Sequence, residues 1–172
     1  GWGGGMEHAT MSSMNSWGRS LIAHELGHQW FGDKVTCGSW KDIWLNEGLT
    51  EYTAGIMVEE LDGVPSFVSW KTGKINNITS QTGGAVYLTD SEALNVGRIF
   101  SSRLSYNKGS MVTHMIRWVM GDDNFFQALR NYLTDSNLSY GYAITNDLKG
   151  HLEAVHGSSL SEFFNDWIYI TQ

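Results

Sequence analysis

A single cysteine, Cys37, in a chain of 172 residues excludes an internal disulfide and any cysteine-rich zinc site. It leaves the redox compartment undecided. Proline is equally scarce, with Pro65 alone. Uncharged apolar runs are short, such as Gly55–Val58, so no segment is expected to cross a membrane, which takes about 20 apolar residues. Positive charge is in deficit: 11 Lys and Arg against 18 Asp and Glu leave a net charge of −7. Nonspecific binding to nucleic acid or anionic lipid needs a basic face and is not expected. Gly1-Trp2-Gly3-Gly4-Gly5 carries neither the charged region nor the apolar core of a signal peptide.

That opening reads instead like the interior of a longer protein. The apolar stretch Phe163–Ile170, close to the other end, agrees. The chain is expected to be a piece of a larger polypeptide, so missing targeting signals leave its location open. The low Lys content and the Asn- and Ser-rich surface lean towards export or a periplasmic location. What is present is globular: 41% apolar and 17% charged residues, in a length that suits one domain over 1–172. Folding at this size buries about 70% of the surface of the open chain. Eight Trp point to a deep core or a lined cleft.

Apolar spacing at steps of three and four predicts a helix over Ser16–Phe31, capped by Asn15 or Ser16 and stopped at Gly32. Asp33–Trp40 reads as a connector. Further helices are expected over Ile43–Leu61, from Pro65 to about Ser80, over Arg103–Met120 and Asp123–Leu133 with a break at Gly121, and over Ile144–Val155 and Leu160–Ile168. Gly1–Glu7 suits a loop or edge strand, and Thr82–Asp90 a loop. The expected class is mainly α, with little sheet.

His24-Glu25-Leu26-Gly27-His28 carries the chemistry. Residues four apart share one helix face, so two imidazoles can reach one metal at roughly 2.0–2.1 Å. Glu25 lies at the edge of that face, within reach of a metal-bound water. Alone, this pattern also occurs by chance, with the His pair solvated or satisfied in a core. Glu47 changes the balance. It falls early in the next expected helix, and a short return would bring it over the first. Two His and a carboxylate with a fourth position for water make the pattern of a catalytic zinc site. Glu51, one turn later, could orient a zinc-bound His or lie on a solvated face. Asn46 is similarly ambiguous. Met111, Met115 and the many Trp suit a core better than a subsite.

His24-Glu25-x-x-His28 followed at this distance by Glu47 resembles the zinc signature of the M1 family of metallo-aminopeptidases, within the thermolysin-like gluzincins. Gly4-Gly5-Met6-Glu7-His8 is similar to that family's Gly-x-Met-Glu-Asn motif, with His8 in place of Asn. Tyr106-Asn107-Lys108-Gly109 resembles its Tyr-x-Lys-Gly segment, and Phe163-Phe164-x-x-Trp167 suits the end of its catalytic domain. The resemblance implies a zincin fold and one Zn2+ per chain, held by His24, His28 and Glu47.

It further implies that Glu25 activates a zinc-bound water and returns the proton to the leaving amine. Tyr106 would donate to the oxyanion, and Glu7 would bind the free α-amino group of a peptide substrate. Gly4 and Gly5 would let backbone approach that peptide, or merely form a turn. His8 and Lys108 are expected to be structural. The family also implies an upstream β-rich and a downstream helical domain as partners in completing the cleft. The rival enzymatic readings are a gluzincin endopeptidase and an added epoxide hydrolase activity, known in one branch. A zinc-binding scaffold without catalysis is the rival of another class. A fragment that binds zinc yet turns over little without its flanking domains is a further alternative.

Overall fold

The computed structural model describes residues 3–170; Gly1 and Trp2, the start of the expected edge segment, lie outside them. The elements run β1 (Gly5–Met6), β2 (Ser13–Met14), α1 (Arg19–Gly27), β3 (Val35–Cys37), α2 (Trp44–Asp62), α3 (Val64–Ile78), α4 (Val96–Ile99), α5 (Gly109–Met120), α6 (Asp122–Thr134), β4 (Gly141–Ala143), α7 (Thr145–His156) and α8 (Ser161–Phe164). Turns of 3-10 helix at Trp40–Asp42 and Glu92–Leu94, and π-helical turns at Ser102–Lys108 and Asn165–Tyr169, join or extend them. The fold is mainly helical, as the sequence implied.

Punctuation residues set most helix ends. Gly63 stops α2 at φ 82°, and Pro65 follows in the first turn of α3, where its missing N–H loses no helical bond. Gly121, at φ 76°, separates α5 from α6. Asp147 caps α7, its carboxylate accepting from the Ile144 N–H at 2.8 Å.

Three expectations need correction. α1 is shorter than Ser16–Phe31, and neither Asn15 nor Ser16 caps it. Gly18 precedes it in an extended conformation without a side-chain cap, and the chain leaves the helix through tight turns after Gly27. The connector Asp33–Trp40 contains β3, which pairs in parallel with β4, Val35 opposite Gly141 and Cys37 opposite Ala143. The helix expected from Arg103 opens as the π-helical turn Ser102–Lys108 before α5 begins.

α2 is the central element, packed against α1, α3 and α5. Its crossing with α5 is a backbone contact: a Cβ on Gly48 would lie 2.9 Å from the Gly109 Cα. Glycine on both sides brings the π-helical turn, and Tyr106 with it, beside the start of α2. At the same end Trp44 is fully buried and its Nε1–H donates to Thr145 Oγ1 at 2.9 Å. Thr145 in turn donates through N–H and Oγ1–H to the buried Asp42 carboxylate at 2.8 and 2.7 Å. A buried indole keeps its partner this way, and the starts of α2 and α7 are pinned together. The expectation that the tryptophans are core holds at Trp44. It fails at Trp17 and Trp118, which are exposed, and at Trp40, which lines a cleft.

Candidate metal centre and active site

α1 carries His24 and its C-terminal capping residue is His28, and α2 supplies Glu47 from across the helix interface. The two Nε2 atoms are 3.1 Å apart. Glu47 Oε2 lies 3.4 Å from His24 Nε2 and 3.3 Å from His28 Nε2. A tetrahedral cation with bonds of about 2.0–2.1 Å spaces its ligands about 3.3–3.4 Å apart, so these three atoms stand at the corners such an ion requires.

The protons also fit. His28 Nδ1 faces the Phe31 carbonyl at 2.9 Å, which can only accept, so Nδ1 carries the hydrogen. His24 Nδ1 faces Glu51 Oε2 at 2.9 Å. Burial works against the Glu51 charge, but His24 and Lys74 outweigh it and hold its pKa near 2, so it too accepts. In the neutral rings both Nε2 lone pairs therefore point at the shared centre. Glu47 is likewise held at about 2, because the two imidazoles outweigh its burial. Its Oε2 is buried without a hydrogen-bond partner. Burial pulls the His24 pKa down, yet Glu47 and Glu51 lift it to about 9. The cluster is short of positive charge, and a dication meets all three atoms at once.

A cleft of about 670 Å³ opens on this centre. Glu25 is buried beside it, and its Oε2 also lacks a partner. Burial, reinforced by Glu7 and Glu47, raises its pKa against the pull of the two imidazoles. Gly5 of β1 lies against that carboxylate, and a Cβ there would overlap it. Glu7 stands at the end of the same strand, its Oε1 3.9 Å from His28 Nδ1. Tyr106 stacks on His24 with ring centroids 5.8 Å apart. Burial and the Glu47, Glu7 and Glu25 carboxylates push the phenol pKa far up, so it remains a neutral donor. Among the described residues, two groups bring three metal-ligating atoms within 4.8 Å of one another: His24, His28 and Glu47, and Glu7, Glu25 and His28.

Residues 6–167 match the family model described as the peptidase family M1 domain. The chain belongs to peptidase family M1. Among curated relatives, it is 34% identical over 160 residues to probable aminopeptidase 2 of Sulfurisphaera tokodaii, covering 87% of this chain and 19% of that protein. It is 31% identical over 169 residues to aminopeptidase N of Lactococcus lactis, covering 94% of this chain and 19% of the relative. The M1 zinc metallopeptidase of Deinococcus radiodurans shares the fold at a TM-score of 0.81 and 24% identity, over 95% of this chain and 36% of that one. The chain thus spans about a fifth of the length of these curated relatives.

Not every motif residue belongs to the site. Gly4, Gly5, Glu7, His24, Glu25, His28, Glu47, Glu51 and Tyr106 line this cleft. Glu51 bonds to His24 and is not on a solvated face. His8 is exposed and belongs to neither ligand group. Asn46 accepts from the Cys37 N–H at 2.9 Å, tying β3 to α2, and buried Lys108 donates to the Gly84 carbonyl at 2.7 Å. Several contributors escaped the sequence. Thr50 Oγ1 donates to the Phe31 carbonyl that anchors His28. Lys74 of α3 pairs with Glu51. Trp40 and Phe100, packed edge to face at 6.0 Å, wall the cleft. Their aromatic character was visible; their convergence depends on turns without a periodic signal.

Proposed function

We propose that this chain is the catalytic module of a zinc aminopeptidase, which hydrolyses the N-terminal peptide bond of peptides with a free amine. The observation that carries this is the spacing of three buried ligand atoms, His24 Nε2, His28 Nε2 and Glu47 Oε2, at 3.1–3.4 Å, with the unpartnered Glu25 carboxylate beside them. The names of the aminopeptidase relatives point the same way. His24, His28 and Glu47 would hold the ion. When bound, zinc supplies Lewis acidity to the scissile carbonyl and to water.

The remaining work falls to the chain's own side chains. Glu25, raised in basicity by burial, takes the proton of the attacking water and returns one to the leaving amine, acid–base work typically worth about 10²–10⁴ in rate. Tyr106 donates a hydrogen bond to the developing oxyanion without adding charge; such donors are worth about 10²–10³ in turnover. Glu7 pairs with the substrate ammonium and so fixes cleavage at the N-terminus. Gly5 keeps the strand close enough to hold Glu25. The longer relatives support flanking domains that complete the cleft.

The test is hydrolysis of aminoacyl-anilides with free and N-acetylated amines by the full-length protein. Free amines should be cleaved and acetylated ones ignored. Equal rates on both would remove Glu7 from its role and favour an endopeptidase.

A further inference from the structure

Three cations converge beside the turn that carries Tyr106. Residues 79–85, after α3, form neither helix nor strand, so their carbonyls, and the last ones of α3, need donors from elsewhere. Arg103 supplies most of them. Its Nη1 donates to the Ile78 carbonyl at 3.1 Å and the Gln81 carbonyl at 3.3 Å, and its Nη2 to the Gly83 carbonyl at 3.0 Å. Buried Lys108 donates to the Gly84 carbonyl at 2.7 Å, and Arg98 to the Ala85 carbonyl at 2.7 Å. Gly84, at φ 102°, lies directly against the turn: a Cβ there would be 2.7 Å from Leu104 Cδ1.

Arg98 is balanced by Glu92 at 2.9 Å. Among the described residues, the hydrogen bonds of the Arg103 and Lys108 side chains all go to backbone carbonyls. A guanidinium offers five donors in a rigid fork, which suits fastening several carbonyls at once. Both residues belong to the π-helical turn Ser102–Lys108, Arg103 one turn before Tyr106 and Lys108 just after it. Such turns are rare and recur at functional sites. Asn107 adds a bond to Asn77 Oδ1 of α3 at 2.8 Å. Tyr106 is thus held on both sides along the chain, while its ring stacks on His24.

We propose that Arg103, together with Lys108, is a positioning residue for Tyr106. It fastens the π-helical turn to the 78–85 segment and so keeps the phenol where the oxyanion forms. The fastening rests on the carbonyl bonds themselves; its consequence for turnover rests on the reading of Tyr106 as oxyanion donor.

The test is a double-mutant cycle in the full-length protein, with L-leucyl-p-nitroanilide as substrate, on Arg103→Met, Tyr106→Phe and the two combined. Arg103→Met should lower kcat by about 10–100-fold, with KM and zinc content close to those of the parent. In the Tyr106→Phe background the same change should cost less than about twofold, because the hydroxyl it positions is already gone. Arg103→Lys, which keeps the charge and loses the fork, should fall between parent and Arg103→Met. Backbone amides of residues 102–108 should exchange with deuterium about tenfold faster in Arg103→Met, and those of α1 at the parent rate. Unchanged kcat, unchanged exchange in the turn, or an equal loss in the Tyr106→Phe background overturns the proposal. Zinc lost from both Arg103→Met and Arg103→Lys would make Arg103 a support of the whole site and overturn it as well. If the parent cleaves the anilide and Tyr106→Phe matches it, the oxyanion role of Tyr106 fails, and this inference with it; a parent that does not cleave it would overturn the aminopeptidase reading itself.

Discussion

Both imidazoles that face Glu47 are held through Nδ1, His24 by Glu51 and His28 by the Phe31 carbonyl. Partners of this kind fix ring orientation and typically matter about 10–100-fold in metal affinity. Glu51→Gln should therefore weaken zinc binding by about that factor in a chelator competition; an unchanged affinity would leave Glu51 only its pairing with Lys74. Gly5→Ala acts on chemistry and not on the ion. Its methyl group would displace the Glu25 carboxylate, so turnover of the full-length protein should fall by about 10²–10⁴ with zinc content unchanged. Loss of zinc along with activity would contradict that division of labour. Of these positions the sequence pointed to His24, Glu25 and His28 through helical spacing, and to Glu47 through its place early in the next helix after a short return. It left Glu51 open and hid Thr50, the Phe31 carbonyl and Lys74. Their part depends on how α1, α2 and α3 pack, and no local pattern encodes that.

The long helices α2, α3 and α6 lie close to where periodicity and Gly or Pro punctuation put them. The pairing of β3 with β4 was not legible, since three-residue strands carry no period-two signal and their partners lie far apart in the chain. The π-helical turn at Ser102–Lys108 was hidden too, because apolar spacing alone does not separate it from the start of an α-helix. Its position beside Glu47 depends on the contact of Gly48 with Gly109. Gly48→Ala would force α2 and α5 apart, and overpacking of this kind costs about 1–3 kcal/mol. Denaturant unfolding should show that loss. A variant as stable as the parent would mean that the crossing tolerates a methyl group and does not set the placement of Tyr106.

Across the whole molecule, stability should depend on pH through His114, at the junction of α2, α3 and α5. Lys71 Nζ lies 3.2 Å from His114 Nε2 and must donate, so the ring is neutral and its Nδ1–H faces Tyr52 Oη at 3.0 Å. Burial first, then Lys71 and Arg117, hold the His114 pKa at about 4, below the ordinary 6.5. Above pH 6.5 neither folded nor unfolded chain protonates it, and its contribution is complete. As pH falls from 6.5 to about 4, the unfolded chain takes up a proton that the native state refuses, and stability is lost. His114→Gln should flatten unfolding free energy against pH in that window; parallel curves would show that His114 titrates normally. The chain matches about a fifth of its curated relatives' length, so residues 1–172 alone should bind zinc but turn over peptides poorly compared with the full-length protein. The most direct measurement is tightly held zinc per chain, by elemental analysis after dialysis, for the parent, His24→Ala and Glu47→Gln. The account predicts about one ion in the parent and its loss or strong weakening in both variants. A parent without tightly bound zinc, or variants that retain it unchanged, would contradict a centre built from His24, His28 and Glu47.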